Sequence, residues 1–211
     1  MKSKYCFFTL IGLCFLCLLF IRVRLTQENR QQQTRETEKF IEASYAGDID
    51  TILSLFPDSL YERLIADTID SVNSEEEIPE FVGADIRNYI ETIGILFGED
   101  WEYSFEITNR YKYTKEDLED LNYHYKISGV PDAGFKQASI LTVEIAITGI
   151  NGTEGSQTIL VPLVKEHGHW GIGQQIGSVY DTRAAEGCYD IYDRLLDGFS
   201  FSSASEAEND E

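Results

Sequence analysis

The sequence predicts an α+β fold: N-terminal helices packed on a curved antiparallel sheet, preceded by a single transmembrane helix. Three observations carry that expectation. Apolar residues recur at helical spacing from Phe40 to Phe97, the repeat shortens to that of a strand at Trp101, and an uncharged apolar run extends from Tyr5 to Ile21. The organisation that follows is a membrane anchor over residues 1–25, a stalk over 26–36, one α+β domain over 37–181, a C-terminal helix over 182–200 and an acidic, disordered tail over 201–211.

The anchor is read from its flanks. Lys2 and Lys4 precede the apolar run and Arg22 and Arg24 follow it. The run is at the short end of the ~17–25 residues that cross a bilayer core. A cleaved leader is the rival, but the run ends Leu18-Leu19-Phe20-Ile21-Arg22 without an Ala-x-Ala pattern, and neither Cys14 nor Cys17 follows a small residue. The expectation is therefore an uncleaved signal-anchor, with residues 5–21 in the membrane. Counting Arg22, Arg24, Arg30, Arg35 and Lys39 against Lys2, Lys4 and the terminal amine favours the domain inside. A short basic head before one apolar segment is nonetheless how a signal-anchor is built, and it leaves the domain extracytoplasmic at the cell membrane.

Charge limits the partners. Only 4 of the 17 basic residues, and none of the 37 acidic ones, lie in the first 25 positions, so the remainder carries a net charge near −24. Such a surface repels nucleic acid, which binds through neutralised phosphates, and it keeps a protein soluble. Cys6, Cys14 and Cys17 belong to the apolar run, which leaves Cys188 without a disulfide partner in the domain.

Within the domain, Ile41, Tyr45, Ile49, Ile52, Leu53 and Phe56 form one helical stripe that Pro57 ends. Asp58 or Ser59 is placed to cap the next, with Leu60, Leu64, Ile65, Ile69 and Val72; Ser74–Glu77 read as an acidic loop; a third helix after Pro79 carries Ile86, Tyr89, Ile93 and Phe97. Trp101, Tyr103, Phe105 and Ile107 then alternate with polar residues, the pattern of a strand with one buried face. Thr114 and Asp117 resemble a capping box. The next strand, 138–148, aligns Leu141, Val143, Ile145 and Ile147; Asn151-Gly152 turns it; and Ser156–Lys165, apolar on both parities, reads as a central strand despite Pro162. A last strand puts Trp170, Ile172, Gln174 and Ile176 on one face and Gly171, Gly173 and Gly177 on the other, which marks curvature or a close approach by another backbone. Asp181 or Thr182 is placed to cap the final helix, with Cys188, Tyr192, Leu195 and Phe199 on its stripe.

Ala46-Gly47-Asp48 with Leu53 and Phe56, the run Thr114-Lys115-Glu116-Asp117-Leu118, and Val164-Lys165-Glu166-His167-Gly168-His169-Trp170 together resemble the nuclear transport factor 2-like superfamily. In particular the chain resembles the small domains that Gram-positive bacteria display behind a lipobox or one membrane helix. The likeness covers about residues 36–181. It implies a cone-shaped sheet, a Lys-x-x-Gly-x-Trp hairpin in which Gly168 turns and Trp170 returns to the core, and functions ranging from isomerases and dehydratases to binding modules. Fold alone does not choose among these.

Site chemistry points to binding rather than catalysis. Enzymes on this fold set an acid or base on an inward strand position, where desolvation tunes it. Here the inward residues Trp101, Tyr103, Phe105, Val143 and Trp170 are apolar or aromatic, and they form the expected lining of a cavity for a small apolar ligand. His167 and His169, two apart, are the best metal signal, but a turn glycine separates them and no third ligand is spaced to join. Neither a metal nor a cofactor is expected. Gln174 and Gln175, in a glycine-rich strand, could orient a small ligand, but they read first as a solvated strand edge. The alternatives are an isomerase or dehydratase-like enzyme that uses the sheet cavity and a structural accessory subunit of a cell-envelope complex, with an envelope protein as partner; a homodimer through the sheet is a further use of the same apolar face.

Overall fold

The computed structural model describes the backbone of residues 2–150, 152–186 and 200–202, and the side chains of these residues except for 2–18, Asp70 and 200–202. The chain divides into two compact units, residues 1–35 and 36–211. The first is helical throughout its described length, as the opening part of α1 (Lys2–Ala46). The expected stalk is thus helix, with Arg24 paired to Glu28 one turn on at 3.0 Å. Leu19, Phe20, Ile21, Val23 and Leu25 are exposed on it. No helix among the described residues is long and apolar enough to cross a membrane. Most of the anchor expected over residues 5–21 falls on side chains outside the described residues.

The second unit holds the α+β domain. The first domain helix is expected to run unbroken to Pro57, but it breaks: α1 ends at Ala46, and α2 (Ile49–Ser54) begins after Gly47 and Asp48. Gly47 has φ +69°, a conformation glycine reaches without steric cost. The Asp48 N–H then donates back to Ala43 O at 2.9 Å, while its carboxylate accepts from Thr51 N–H and caps α2. α3 (Asp58–Thr68) follows Pro57 without a cap from its own side chains, so Asp58 is its first residue rather than its cap. The expected acidic loop is a 3-10 turn over Glu75–Glu77 leading into α4 (Ile78–Phe97), with Pro79 in its first turn.

The sheet has strand order β1-β2-β3-β4, all antiparallel: β1 (Glu102–Lys112), β2 (Ala138–Thr148), β3 (Glu154–Glu166) and β4 (His169–Ile172). β1 outruns the expected strand because its register slips after Ile107, which pairs with Val143 while Asn109 pairs with Thr142. The extra residue moves odd positions to the other face. Tyr103 and Phe105 therefore pack on one core and Tyr111 and Tyr113 on the other.

Both faces of the sheet are covered. On one, the end of α1, α2 and α4 bury Ile41, Ile52, Ile93 and Phe97 against Leu141, Val143, Ile159, Val161 and Leu163. On the other, α5 (Lys115–Ile127) and α6 (Ser178–Ala185) cover Ile140, Leu160 and Val164. β3 is the doubly covered strand that its two apolar parities predict. Pro162 fits there because its C=O accepts from Gly173 N–H at 2.8 Å, on the side away from β2, so its missing donor leaves the β2 ladder intact.

Thr114 and Asp117 form the expected reciprocal capping box at α5. Thr114→Ala is expected to cost about 1 kcal/mol, read as a lower urea midpoint at unchanged slope; an unchanged midpoint would remove the box from the account. α6 starts at Ser178, earlier than expected, and borrows its cap from α5: Asp120 accepts from both the N–H and the hydroxyl of Ser178 at 2.9 Å. The expected helix over 182–200 and tail from 201 change where they are described. Ser200–Ser202 form β5, paired antiparallel with Glu154–Ser156, because extended chain there finds a free β3 edge to bond. Cys188, Tyr192, Leu195, Phe199 and the tail beyond Ser202 lie outside the described residues.

Candidate ligand-binding cavity

The last strand is expected to continue past Gly173; it stops at Ile172. Two contacts explain why. The helix turn at Leu55–Pro57 sits so close to Gly171 that a β-carbon there would stand 2.7 Å from Leu55 O, and Ile172 N–H donates to that same carbonyl at 2.8 Å. Then Gln174 N–H donates to the buried Tyr125 hydroxyl at 2.9 Å, and a β-carbon on Gly173 would meet that hydroxyl at 3.0 Å. The close backbone approach read from the glycines is real at Gly171. Gly173 N–H still bonds Pro162 O, and from Gln174 the chain leaves β3.

The departure opens the β3 edge. Among the described residues, β4 pairs with positions 163–166 of β3 and β5 with 154–156, and no strand joins 157–162 on that side. A cavity of about 350 Å³ lies there, lined by Phe40 of α1, Ile52 of α2, Val82 and Ile86 of α4, and Ile159 and Pro162 of β3. Ile159 and Leu160 point to opposite faces of β3, yet both line it, so the cavity reaches around the strand edge. Its polar lining is Asp85, Gln174 and Gln175. That volume is within the range of roughly 300–1,000 Å³ usual for small-molecule sites.

None of the apolar and aromatic residues expected to line a ligand site from sequence borders this cavity. Trp101, Tyr103 and Phe105 form a half-buried row on β1, with Tyr103 stacked on Tyr45 at a ring separation of 4.4 Å. Val143 is 0% exposed inside the core. Trp170 is buried as the hairpin pattern implies, with the Lys165 ammonium 5.7 Å from its ring centre. The inward parity was legible, but a cavity forms where packing fails to close, and that depends on how helices meet the sheet edge. Gln174 and Gln175, expected first as a solvated strand edge and second as groups that orient a ligand, do border the cavity.

A polar cluster lies within the apolar core. The Tyr45 and Tyr89 hydroxyls are 2.8 Å apart, and the Gln157 side-chain amide donates to both. Sequence reasoning assigned both tyrosines to helix stripes and passed over Gln157. Its signal was a polar residue on the odd parity of β3 directly before the apolar run Ile159, Val161 and Leu163. Burial pushes the Tyr45 phenol far above its ordinary range, with the neighbouring Tyr89 adding to it. Such a group is a hydrogen-bonding partner near neutral pH rather than a base.

His167 does not pair with His169 in a ligand set. Its imidazole joins Asp58 and Glu166, with ligand atoms within 4.8 Å of one another, the one such group among the described residues. Glu166 is already engaged: its carboxylate accepts from Ser59 N–H at 3.3 Å and supplies the cap that Pro57 cannot give α3. His167 and Gly168, at φ +48° and +90°, form a two-residue hairpin turn in which both residues are left-handed, within the turn expected over Glu166–Gly168.

Comparison with known proteins finds no matching family model, no similar curated protein and no similar solved structure. The class the geometry defines is a two-faced α+β domain with a small apolar cavity at an open strand edge.

Proposed function

We propose that this chain is a membrane-held, extracytoplasmic binding protein whose nuclear transport factor 2-like domain takes up a small, largely apolar ligand. The observation that carries this reading is the apolar cavity between Phe40, Ile52, Ile86, Ile159 and Pro162, with three polar side chains in its lining. Convergence of a few polar groups on an apolar hollow is the usual make-up of a small-molecule site. The order of helices before an antiparallel sheet supports the family likeness, and the apolar run at Tyr5–Ile21 supports the anchor. Binding is preferred to an isomerase or dehydratase activity because Asp85, the carboxylate in the cavity lining, is exposed, and the buried cluster of Tyr45, Tyr89 and Gln157 holds no carboxylate or imidazole. The half-buried row of Trp101, Tyr103, Phe105 and Ile107 on edge strand β1 favours a second use, as a face for another copy or an envelope protein.

Native mass spectrometry of the full chain, released from the membranes of its own host, tests the reading. A non-detergent adduct that disappears on denaturation is the expected result; an adduct-free monomer rejects ligand storage, and a dimer moves the weight to the β1 face. Protease added to intact cells is expected to remove the domain. Full protection would put it on the cytoplasmic side.

A further inference from the structure

The cavity's lining also bears on the head group its occupant carries, an inference that rests on the binding reading above. Its apolar walls come from Phe40, Ile52, Phe56, Ile86, Ile159 and Ile172, and its polar groups are the Asp85 carboxylate and the Gln174 and Gln175 carboxamides. Among the described residues, no lysine, arginine or histidine lines it. Asp85 is exposed on α4 and makes no ion pair among the described residues. Neither carboxamide has a hydrogen-bond partner there; only the backbone N–H of Gln174 is engaged, by Tyr125.

An anionic amphiphile such as a fatty acid would bring its carboxylate to a wall that has one negative charge and no positive one, on a chain of net charge −20. Like charges at short range are unfavourable, and no donor of positive charge offsets the desolvation. An ammonium reverses the sign of both effects: it meets Asp85 with complementary charge, while its remaining N–H groups find acceptors in the two glutamine side-chain carbonyls. We propose that the cavity selects amphiphilic amines, with the apolar tail between the helices and β3 and the ammonium at Asp85, Gln174 and Gln175. Asp85 is then the specificity-determining residue. The apolar walls supply most of the affinity and the carboxylate supplies the choice.

The test uses the full chain in lipid nanodiscs with methyl-labelled isoleucine, followed by NMR during titration with n-octylamine, n-octanol and n-octanoate. Methyl shifts of Ile52, Ile86, Ile159 and Ile172 locate the ligand. The expected result is saturable shifts at these methyls with octylamine, at least about tenfold tighter than octanoate, as one favourable charge contact of about 1.4 kcal/mol requires. Asp85→Asn, an exposed change that leaves the fold intact by its unaltered methyl spectrum, is expected to bring the amine down to the affinity of the alcohol. Octanoate binding as well as octylamine, or an amine preference that survives Asp85→Asn, overturns the head-group assignment while leaving the cavity as a binding site. No shift at these four methyls with any of the three ligands rejects the binding reading itself.

Discussion

Gly171→Val is expected to destabilise the domain by about 3 kcal/mol, more than any single surface change. A β-carbon at that position stands 2.7 Å from Leu55 O and 2.9 Å from Pro57 Cδ, and both belong to a backbone turn that cannot rotate out of the way. Overpacking of this kind typically costs about 1–3 kcal/mol. Moving the turn also breaks the Ile172–Leu55 hydrogen bond of 2.8 Å and leaves a buried N–H unpaired, a further cost of about 1–3 kcal/mol. Gly94→Ala is the matched control. Gly94 is in α4 with nothing within 4 Å of its added β-carbon, so alanine there gains up to about 1 kcal/mol of helix propensity. Urea denaturation of the two variants should move the midpoint in opposite directions. If Gly171→Val melts with the wild type, the α2–α3 turn does not rest on β4, and the cavity loses one of its walls.

Alkaline solution is expected to unfold this protein steeply. Burial pushes the phenols of Tyr45, Tyr113 and Tyr125 above their ordinary value near 10. In the unfolded chain all three ionise around that value; in the folded chain they hold their protons. Above about pH 10 the native state therefore binds more protons than the unfolded one, so stability falls as pH rises. It is fully present below about pH 10 and is lost progressively up to the raised values, at about 1.4 kcal/mol per pH unit for each phenol, or about 4 kcal/mol per unit for the three. Denaturation midpoints taken every half unit from pH 9 to about pH 12 would trace this slope. Tyr113→Phe is expected to reduce it by about a third. A flat profile across that window would mean that these hydroxyls reach solvent in the folded state.

Much of the architecture was legible because its causes are local. The capping box at Thr114–Asp117 needs residues three apart. The β2 and β3 strands show in alternation alone, and the turn before Trp170 in a glycine that the left-handed region favours. The break at Gly47 was less so, since Ile41, Tyr45, Ile49 and Ile52 keep helical spacing across it, and periodicity cannot see a single residue that leaves the helix. The slip at Ile107–Asn109 was invisible for a related reason. One inserted residue exchanges the faces of everything after it, and only the partner strand records the exchange. The candidate site was the least legible. Gly171, Gly173, Gln174 and Gln175 were marked as unusual, but the residue that the glycine admits at 171 is Leu55, more than a hundred positions away.

By itself the sequence determined the class of the domain, its acidic surface, the double coverage of β3 and the apolar character of its interior, all consequences of which residues prefer water and at what spacing they recur. The tertiary structure decided where that interior stays open. The departure of the chain from β3 at Gln174 leaves strand edge uncovered, the α1, α2 and α4 side chains meet it without closing it, and Asp85 comes to its wall from a helix whose own pattern marks it only as exposed. A cavity is a mismatch between surfaces that are each locally well formed, and no single segment of chain encodes the mismatch.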